Sequence, residues 1–201
     1  EAGLVEPYMT LAIARALARS PSLRFRLRAV DSGTLVQELR EKRIDFFFGL
    51  RPDGTTSGLE LHEIGIASGT PFVRPGHPLA NAGMQSLNRI MSYPIVQGPG
   101  PRWYIRRIAD ELLTEPGASA RRDAAVIVND FGVVRAIVRE TDAVGFATTA
   151  MLRDEVASGA FVALKVPDAQ RALLQVPVLV GTLQGHTLPP AARELIADLE
   201  T

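Results

Sequence analysis

Four short polar turns carry the side chains of this chain that are best suited to hold a small molecule. They lie at 32–34, 97–102, 129–131 and 148–149. Their hydroxyl, amide and guanidinium groups donate hydrogen bonds, and free N–H groups at adjoining helix starts favour an anionic or strongly polar ligand. Asp130 opposes an anion and is suited to fixing a donor group. The candidate ligand-binding residues in and beside these turns are Ser32, Gly33, Thr34, Gln97, Gly98, Arg102, Asn129, Asp130, Phe131, Phe146 and Thr148.

Patterns that would indicate catalysis are incomplete. Residues 117–121 approach a nucleophile elbow but lack its last glycine and precede a strand. His62 begins a zinc-protease pattern, yet Ile66 stands where the second histidine belongs. Residues 98–101 resemble a phosphate loop, but two prolines remove donors that such a loop needs. We therefore expect no catalytic residue, no metal, no cofactor and no enzymatic activity, and a structural role for His77.

The amino-acid composition further limits the class of protein to which the chain can belong. The 201 residues are 46% hydrophobic, which is enough for a sizeable core, and cysteine is absent. Lysine plus arginine and aspartate plus glutamate both number 22, so net charge does not attract the chain to nucleic acid or to an anionic membrane. Because no apolar run is long enough to span a bilayer and no signal-peptide pattern opens the chain, we expect a soluble, cytoplasmic protein without a membrane partner.

The first part of the sequence predicts alternating helices and strands. An apolar stripe predicts a helix over 8–20, and strict alternation predicts an edge strand over 23–29. Thr34 and Gln37 have the spacing of a capping box at the next helix start, and a continuous apolar run predicts a buried strand over 45–50. This order is typical of right-handed crossovers and a mostly parallel sheet.

The remaining elements form a second set of the same kind. Two crossing strands are predicted, near 66–74 and near 170–181. Between them, strands are predicted at 93–97, 124–128, 144–148 and 161–166. Helices are predicted to start near Trp103, after an Asn129-Asp130 cap and after Thr148-Thr149, and a last helix follows Pro190. The fold class is α/β, with two lobes joined by two crossing strands. Since ligands of such lobes bind at the carboxyl ends of strands, the polar turns are expected to face one cleft.

The sequence resembles the effector-binding domain of a LysR-type transcriptional regulator. The matching stretches are residues 39–45, similar to an L-x-x-G-x-L-D run, His77-Pro78-Leu79-Ala80, residues 136–147, and residues 159–162, similar to a G-x-L-V close. The resemblance covers nearly the whole chain. It implies two Rossmann-like lobes of the periplasmic-binding-protein type II-like fold, with lobe I at 1–73 plus 172–201 and lobe II at 74–171.

The same resemblance implies a ligand site and partners. Ser32, Gln97, Asn129 and Thr148 would line the cleft, and Gly3, Leu4 and Val5 would enter from the first turn. The helix starts and polar groups of these turns, rather than the resemblance, predict that the effector is a small organic anion. The domain would form a homodimer or tetramer, with 8–20 and 23–29 of one copy against 103–113 and the following strand of another.

Departures from the family pattern are local. Lys42 replaces a usual glycine, residues 139–142 replace a glycine-rich turn, and Thr148-Thr149 replaces an apolar pair. The first strand of the family domain and its N-terminal winged helix-turn-helix DNA-binding domain are expected to be absent from this chain, so that DNA is contacted only through that missing domain. The alternative is a free-standing solute-binding protein of a transporter, which uses the same architecture.

Overall fold

The computed structural model describes residues 8–30, 32–112 and 123–199. The chain divides into two compact units, which are Glu1–Ile66 with Pro177–Thr201 (unit 1) and Ala67–Val176 (unit 2). The divisions fall inside two long strands that pass from one unit to the other. The predicted lobe boundaries at 73/74 and 171/172 instead lie at the end of the first of these strands and just before the second.

The described elements alternate between helix and strand along most of the chain. In chain order they are α1 (Thr10–Arg19), α2 (Ser32–Arg40), β1 (Phe47–Gly49), β2 (Leu59–Val73), α3 (Leu87–Ile90), β3 (Ile95–Gln97), α4 (Trp103–Leu112), β4 (Val126–Ile127), α5 (Phe131–Glu140), β5 (Val144–Thr148), α6 (Arg153–Ala157), β6 (Val162–Ala163), α7 (Asp168–Arg171), a short 3-10 turn (Ala172–Leu174), β7 (Gln175–Leu183) and α8 (Pro190–Leu199). Within the described ranges, no helix is both long and apolar enough to span a membrane.

Unit 1 packs its helices on a short antiparallel strand pair. Strand β1 pairs with β7 so that Phe48 lies opposite Val180. Leu35 and Leu39 are buried on the inner face of α2 against Phe47, because positions four apart share one side of a helix. Helices α1 and α8 pack together. The apolar face of α2 therefore fixes where the turn at its start lies in this unit.

Unit 2 is built on a mixed sheet. Strand β3 lies between β4 and β5 and is parallel to both, whereas β2 is antiparallel to β5 and to β6. Both faces of the β3 and β5 backbone are covered, with Val96 and Val144 fully buried. The parallel arrangement predicted from the sequence is therefore confirmed for β3, β4 and β5, while the strands that carry the chain between units are antiparallel.

The strand predicted over 23–29 is wrong. Residues 23–30 have no regular secondary structure, although Phe25 alternates with exposed arginines as a strand would. A strand is stable only when a neighbouring strand takes its backbone hydrogen bonds, and no described residue pairs with this segment. Other predicted strands exist but are shorter, such as β1 and β4, since only their central residues pair.

Candidate functional site

The parallel strands of unit 2 bring three of the predicted turns to one edge of the sheet. The register places Gln97 opposite Ile127, and Val96 opposite both Val126 and Gly145. Carboxyl ends of parallel strands meet at the same edge, so the residues after β3 and β4 and at the end of β5 are neighbours. Gln97, Asn129 and Thr148 are thus gathered in one region, and their role in binding stays a prediction.

The turn after β3 is shaped by Gln97 itself. Its side chain is buried, and its Nε2 donates to the Pro101 carbonyl oxygen over 2.9 Å. Its own carbonyl oxygen accepts from the Val128 N–H at 3.0 Å, which links the turn to the end of β4. A Cβ on Gly98 would lie 3.1 Å from Val134 Cγ2, so the turn needs a small residue to stay close to α5. Gln97 therefore holds the turn that starts α4, and exposed Arg102 follows it.

The turn after β4 is a capped helix start, as the sequence predicts. The Asp130 carboxylate accepts from the Val133 N–H at 2.9 Å. Because this carboxylate already compensates the positive end of α5, that helix start is less attractive to an anion than the start of α4. Phe131 is half-buried 6.0 Å from the Phe72 ring, and the Arg135 guanidinium lies over it at 4.6 Å. Asn129 is exposed beside this cap.

The end of β5 carries hydroxyl groups. Thr148 Oγ1 accepts from the Met151 N–H at 3.3 Å, which makes a local turn. The helix predicted to start directly after Thr148-Thr149 instead begins at Arg153, because Thr148 closes this turn first. Phe146 is only 8% exposed, and its ring packs edge-on against Tyr104 at 6.3 Å, so the structure places it in the core.

A pair of hydroxyl groups at the same edge of the unit 2 sheet was not predicted from the sequence. Thr70 Oγ1 and Thr149 Oγ1 are 2.8 Å apart, and either can donate. Strand β2 brings Thr70 there because Gly69 pairs with Thr148 in the antiparallel register. Thr149 was visible as a turn residue in the sequence. Thr70 gave no comparable signal, since the register of two strands so distant in the chain is not encoded locally.

The predicted turn of unit 1 opens a helix. Helix α2 begins at Ser32, with Gly33 exposed and Thr34 half-buried. Gln37 Nε2 donates forward along the helix to Glu41 Oε1 at 2.7 Å. Because α2 already begins at Ser32, Thr34 lies inside the helix and not at its cap position, so the predicted capping box of Thr34 and Gln37 is wrong. The side chain of Ser32 and residues Gly3, Leu4 and Val5 lie outside the described residues.

Unit 1 also contains a cavity that the sequence did not reveal. Its volume is about 430 Å³, and it lies between residues 24–30 and 43–48, with Leu195 of α8 on its wall. Glu38, almost fully buried there, is paired with Arg28 and with Arg43, whose Nη2 lies 3.0 Å from Glu38 Oε1. The charge of Glu38 is thus already balanced by two arginines. None of the predicted turn residues line the cavity, so the cavity is separate from the candidate site.

His77 has the structural role that its flanking prolines suggested. It is 3% exposed, and its Nδ1 accepts from the Leu79 N–H at 2.9 Å. An accepting Nδ1 leaves Nε2 to donate to the Asp142 carbonyl oxygen, 3.1 Å away. In the described part of the chain, no three acidic, histidine or cysteine residues are grouped as metal ligands would be.

The architecture of each unit and the strand-end site define an α/β domain of the periplasmic-binding-protein type II-like fold. A sequence model of the family described as "LysR substrate binding domain" matches residues 3–201. The chain belongs to this family, and its class of function is that of an effector-binding regulatory domain. The transporter alternative is not favoured, since the family model is that of LysR regulators and the relative GbpR is a transcriptional regulator.

Individual relatives agree with this assignment. The chain is 32% identical over 136 residues to the HTH-type transcriptional regulator GbpR of Rhizobium radiobacter, a match that covers 66% of this chain and 44% of that protein. The regulatory domain of Synechocystis CcmR in complex with 2-PG superposes with a TM-score of 0.80 at 11% identity, covering 98% of this chain and 92% of that one. The effector binding domain of QuiR in complex with shikimate has a TM-score of 0.77 at 12% identity, covering 95% and 88%. The chain thus spans less than half of its curated relative.

Proposed function

We propose that this domain binds a small organic anion at the edge of the unit 2 sheet where β3, β4 and β5 end. The observation that carries the proposal is the parallel register that gathers Gln97, Asn129 and Thr148. From the family resemblance, Gly3, Leu4, Val5, Ser32, Gly33 and Thr34 are also proposed as ligand contacts. The solved complexes of CcmR with 2-PG and of QuiR with shikimate support a small-molecule effector for a domain of this fold.

The groups at the edge suit a hydroxylated carboxylate. The start of α4 supplies backbone N–H groups and a positive dipole end, and Arg102 stands beside it to pair with the carboxylate. Asn129 and the threonine hydroxyls are able to donate to or accept from hydroxyl groups of the ligand. Asp130 keeps its cap role, so the anion is assigned to α4 and the neutral end of the ligand to α5.

The domain acts by binding and does not turn its ligand over. A ligand that binds one of two conformations more tightly shifts the populations toward that conformation, and in a regulator this shift changes how the assembly contacts DNA. In the full-length protein, a winged helix-turn-helix domain would make the DNA contacts, and the protein would act in the cytoplasm. Transcription regulation by an effector is therefore the proposed activity of the whole protein.

Self-association is proposed to involve α1 and α4. Helix α1 buries Ala12 and Ala16 on one side, yet Leu11 is 55% exposed and Leu17 is 38% exposed on its outer side. Leucine side chains exposed together on a single helix are a common feature of protein contacts. A homodimer or tetramer in which α1 of one copy meets α4 of another would cover them.

A thermal-shift screen tests the ligand class. The purified chain is titrated with shikimate and other hydroxylated carboxylates, with their neutral amides and with organic amines as comparison compounds. Carboxylates are expected to raise the melting temperature, while amides and amines leave it unchanged. Stabilisation by neutral or cationic compounds alone would show that the anion assignment is wrong.

Substitutions then test the site. Thr148→Val and Arg102→Gln are each expected to weaken carboxylate binding about tenfold or more, because each removes a hydrogen bond to a charged ligand. Ser158→Ala is the matched control, since it removes a hydroxyl that bonds the Glu155 carbonyl oxygen at the far end of α6. Isothermal titration gives the affinities. If Thr148→Val and Arg102→Gln bind as tightly as Ser158→Ala, the ligand lies elsewhere.

A further inference from the structure

Tyr104 of α4 contacts the residue that precedes β7, one of the two strands that run between unit 2 and unit 1. Its hydroxyl donates to the Leu174 carbonyl oxygen at 3.3 Å, immediately before β7 begins. The ring is held edge-on by Phe146 and lies beside Trp103. Burial raises the pKa of the hydroxyl well above its ordinary value, an effect that nearby Arg107 only partly offsets. Tyr104 therefore remains a hydrogen-bond donor throughout the physiological pH range.

The same tyrosine contacts β2, the other strand that runs between the two units. A Cβ built on Gly69 of β2 would lie 1.9 Å from the Tyr104 hydroxyl oxygen and 3.5 Å from the Leu174 carbonyl oxygen. Real Cβ atoms do not approach so closely, so only glycine allows β2 to pass against the tyrosine. Gly69 lies three residues from the division between units. One side chain thus contacts both strands at their exits from unit 2.

Arg107 strengthens the contact from the next turn of the helix. Its Nη2 donates to the Leu173 carbonyl oxygen at 2.7 Å and to the Gln175 carbonyl oxygen at 3.1 Å. The guanidinium also lies 5.5 Å from the Trp103 ring centre and 6.0 Å from that of Tyr104. Helix α4 consequently holds three successive carbonyl groups at residues 173–175.

We propose that Tyr104 and Arg107 are positioning residues that couple the start of α4 to the two strands leaving unit 2. We call these two residues with Gly69 the clamp, and residues 67–70 and 173–176 the exit segments. A displacement at the turn formed by 97–102 moves α4, and the clamp carries the movement to both exit segments. Strands β2 and β7 continue from there into unit 1, so the clamp is placed to pass on an event at the turn.

The biological use of the clamp rests on the proposed function, because the turn matters to regulation only if it receives the effector. The coupling between the turn at 97–102 and the exit segments does not depend on any ligand. Gln97→Ala disturbs the turn directly, since it removes the bond between Gln97 Nε2 and the Pro101 carbonyl oxygen. The coupling is therefore tested in the ligand-free chain, and a failure of the ligand screen leaves this test unaffected.

The experiment is a double-mutant cycle of Gln97→Ala and Tyr104→Phe, followed by hydrogen exchange of peptides covering 98–104 and the exit segments. In the wild-type background, Gln97→Ala is expected to raise exchange about threefold to fivefold in all three peptides, as loss of one hydrogen bond would. In the Tyr104→Phe background, it is expected to raise exchange only in 98–104, because the hydroxyl that reaches Leu174 is gone.

A matched control removes a hydroxyl from the same unit without touching the clamp. Tyr93 is half-buried and stacks on His77 at a centroid distance of 4.7 Å. In a Tyr93→Phe background, Gln97→Ala must still raise exchange in the exit segments. The proposal is overturned if Gln97→Ala leaves the exit segments unchanged in the wild-type background, or if Tyr104→Phe does not reduce its effect there.

The glycine supplies a second, independent test. Gly69→Ala is expected to raise exchange in both exit segments by about tenfold, because its methyl group displaces the tyrosine hydroxyl. Adding Tyr104→Phe removes the atom that the methyl group meets at 1.9 Å and leaves the milder contact at 3.0 Å to the ring. The double variant is therefore expected to exchange more slowly than Gly69→Ala alone. Equal or faster exchange in the double variant would contradict the clamp.

Discussion

Gly145 shows how a single missing methyl group sets the packing of unit 2. A Cβ on this residue would lie 2.5 Å from two carbons of the Phe72 ring and 3.1 Å from Val138 Cγ2. Phe72 is fully buried and holds Phe131 and Phe161 around it. The ring fills the space above Gly145, so the close approach of β2 to β5 at the site edge depends on glycine.

Gly145→Ala is expected to lower the free energy of unfolding by about 1–3 kcal/mol, the usual cost of overpacking a core. Urea denaturation followed by circular dichroism measures it. Gly65→Ala is the control, because a Cβ at this glycine of β2 meets no atom within 4 Å. It is expected to change stability by less than about 0.5 kcal/mol. Equal effects of the two substitutions would mean that the Phe72 contact does not limit packing.

The residues of the candidate site differ in how well the sequence reveals them. Gln97, Asn129 and Thr148 stand where an apolar run ends and a polar turn begins, which locates them at strand ends without knowledge of the fold. Phe146 is a candidate because of its aromatic ring, but its position inside the apolar run of β5 indicates a place in the core. Thr70 depends on the register between β2 and β5, which is decided by contacts across a long chain separation.

Helices α1 and α8 are joined by an ion pair near their ends. Arg19 Nη1 and Nη2 donate to the Asp198 carboxylate, the first at 3.2 Å. Hydrogen bonding to Arg19 lowers the pKa of the Asp198 carboxyl below its ordinary value of 3.8. A lowered carboxyl pKa contributes stability above that ordinary value, and the contribution disappears as pH falls through the value in the folded protein.

Asp198→Asn is therefore expected to reduce stability slightly at neutral pH and to leave it equal to wild type once the pH has fallen below the pKa of the Asp198 carboxyl in the folded protein. Urea melts at a series of pH values measure the difference between the two proteins. Because the Arg19 side chain is exposed to solvent, added salt is expected to shrink the difference at neutral pH. A difference that stays constant down to the lowest pH would show that the carboxylate charge is not what stabilises the helix pair.

The elements were predictable where local pattern alone decides them. Strand β5 has the predicted bounds, and Asp130 caps α5, because a buried apolar run and a helix cap are short-range features. The segment 23–29 shows the limit of this reasoning. Its alternation is real, but a strand also needs a partner, and the described residues provide none. Helix α6 began later than predicted for a similar reason, since Thr148 closed a turn that competes with a cap.

At the scale of the whole molecule, the proposed ligand site and the exposed apolar side chains lie beside different helices. Both crossing strands leave unit 2 beside α4, whose start adjoins the proposed anion site. The exposed leucines, by contrast, lie on α1 in unit 1. If α1 of one copy contacts α4 of another, the helix that responds to the effector also lies in the contact between copies. Effector binding and assembly would then share α4.

This arrangement predicts that α1 governs the oligomeric state. Leu11→Arg is expected to weaken self-association at least about tenfold, because a guanidinium at a covered position would lose its hydration. Sedimentation velocity at several protein concentrations measures the shift toward monomer. Met84→Arg is the control, since Met84 is 62% exposed in unit 2, in an isolated β-bridge with Lys165 that lies outside both helices. Identical sedimentation of the two variants would place the contact on another surface, whereas a monomeric Leu11→Arg protein that still binds carboxylates would separate assembly from ligand recognition.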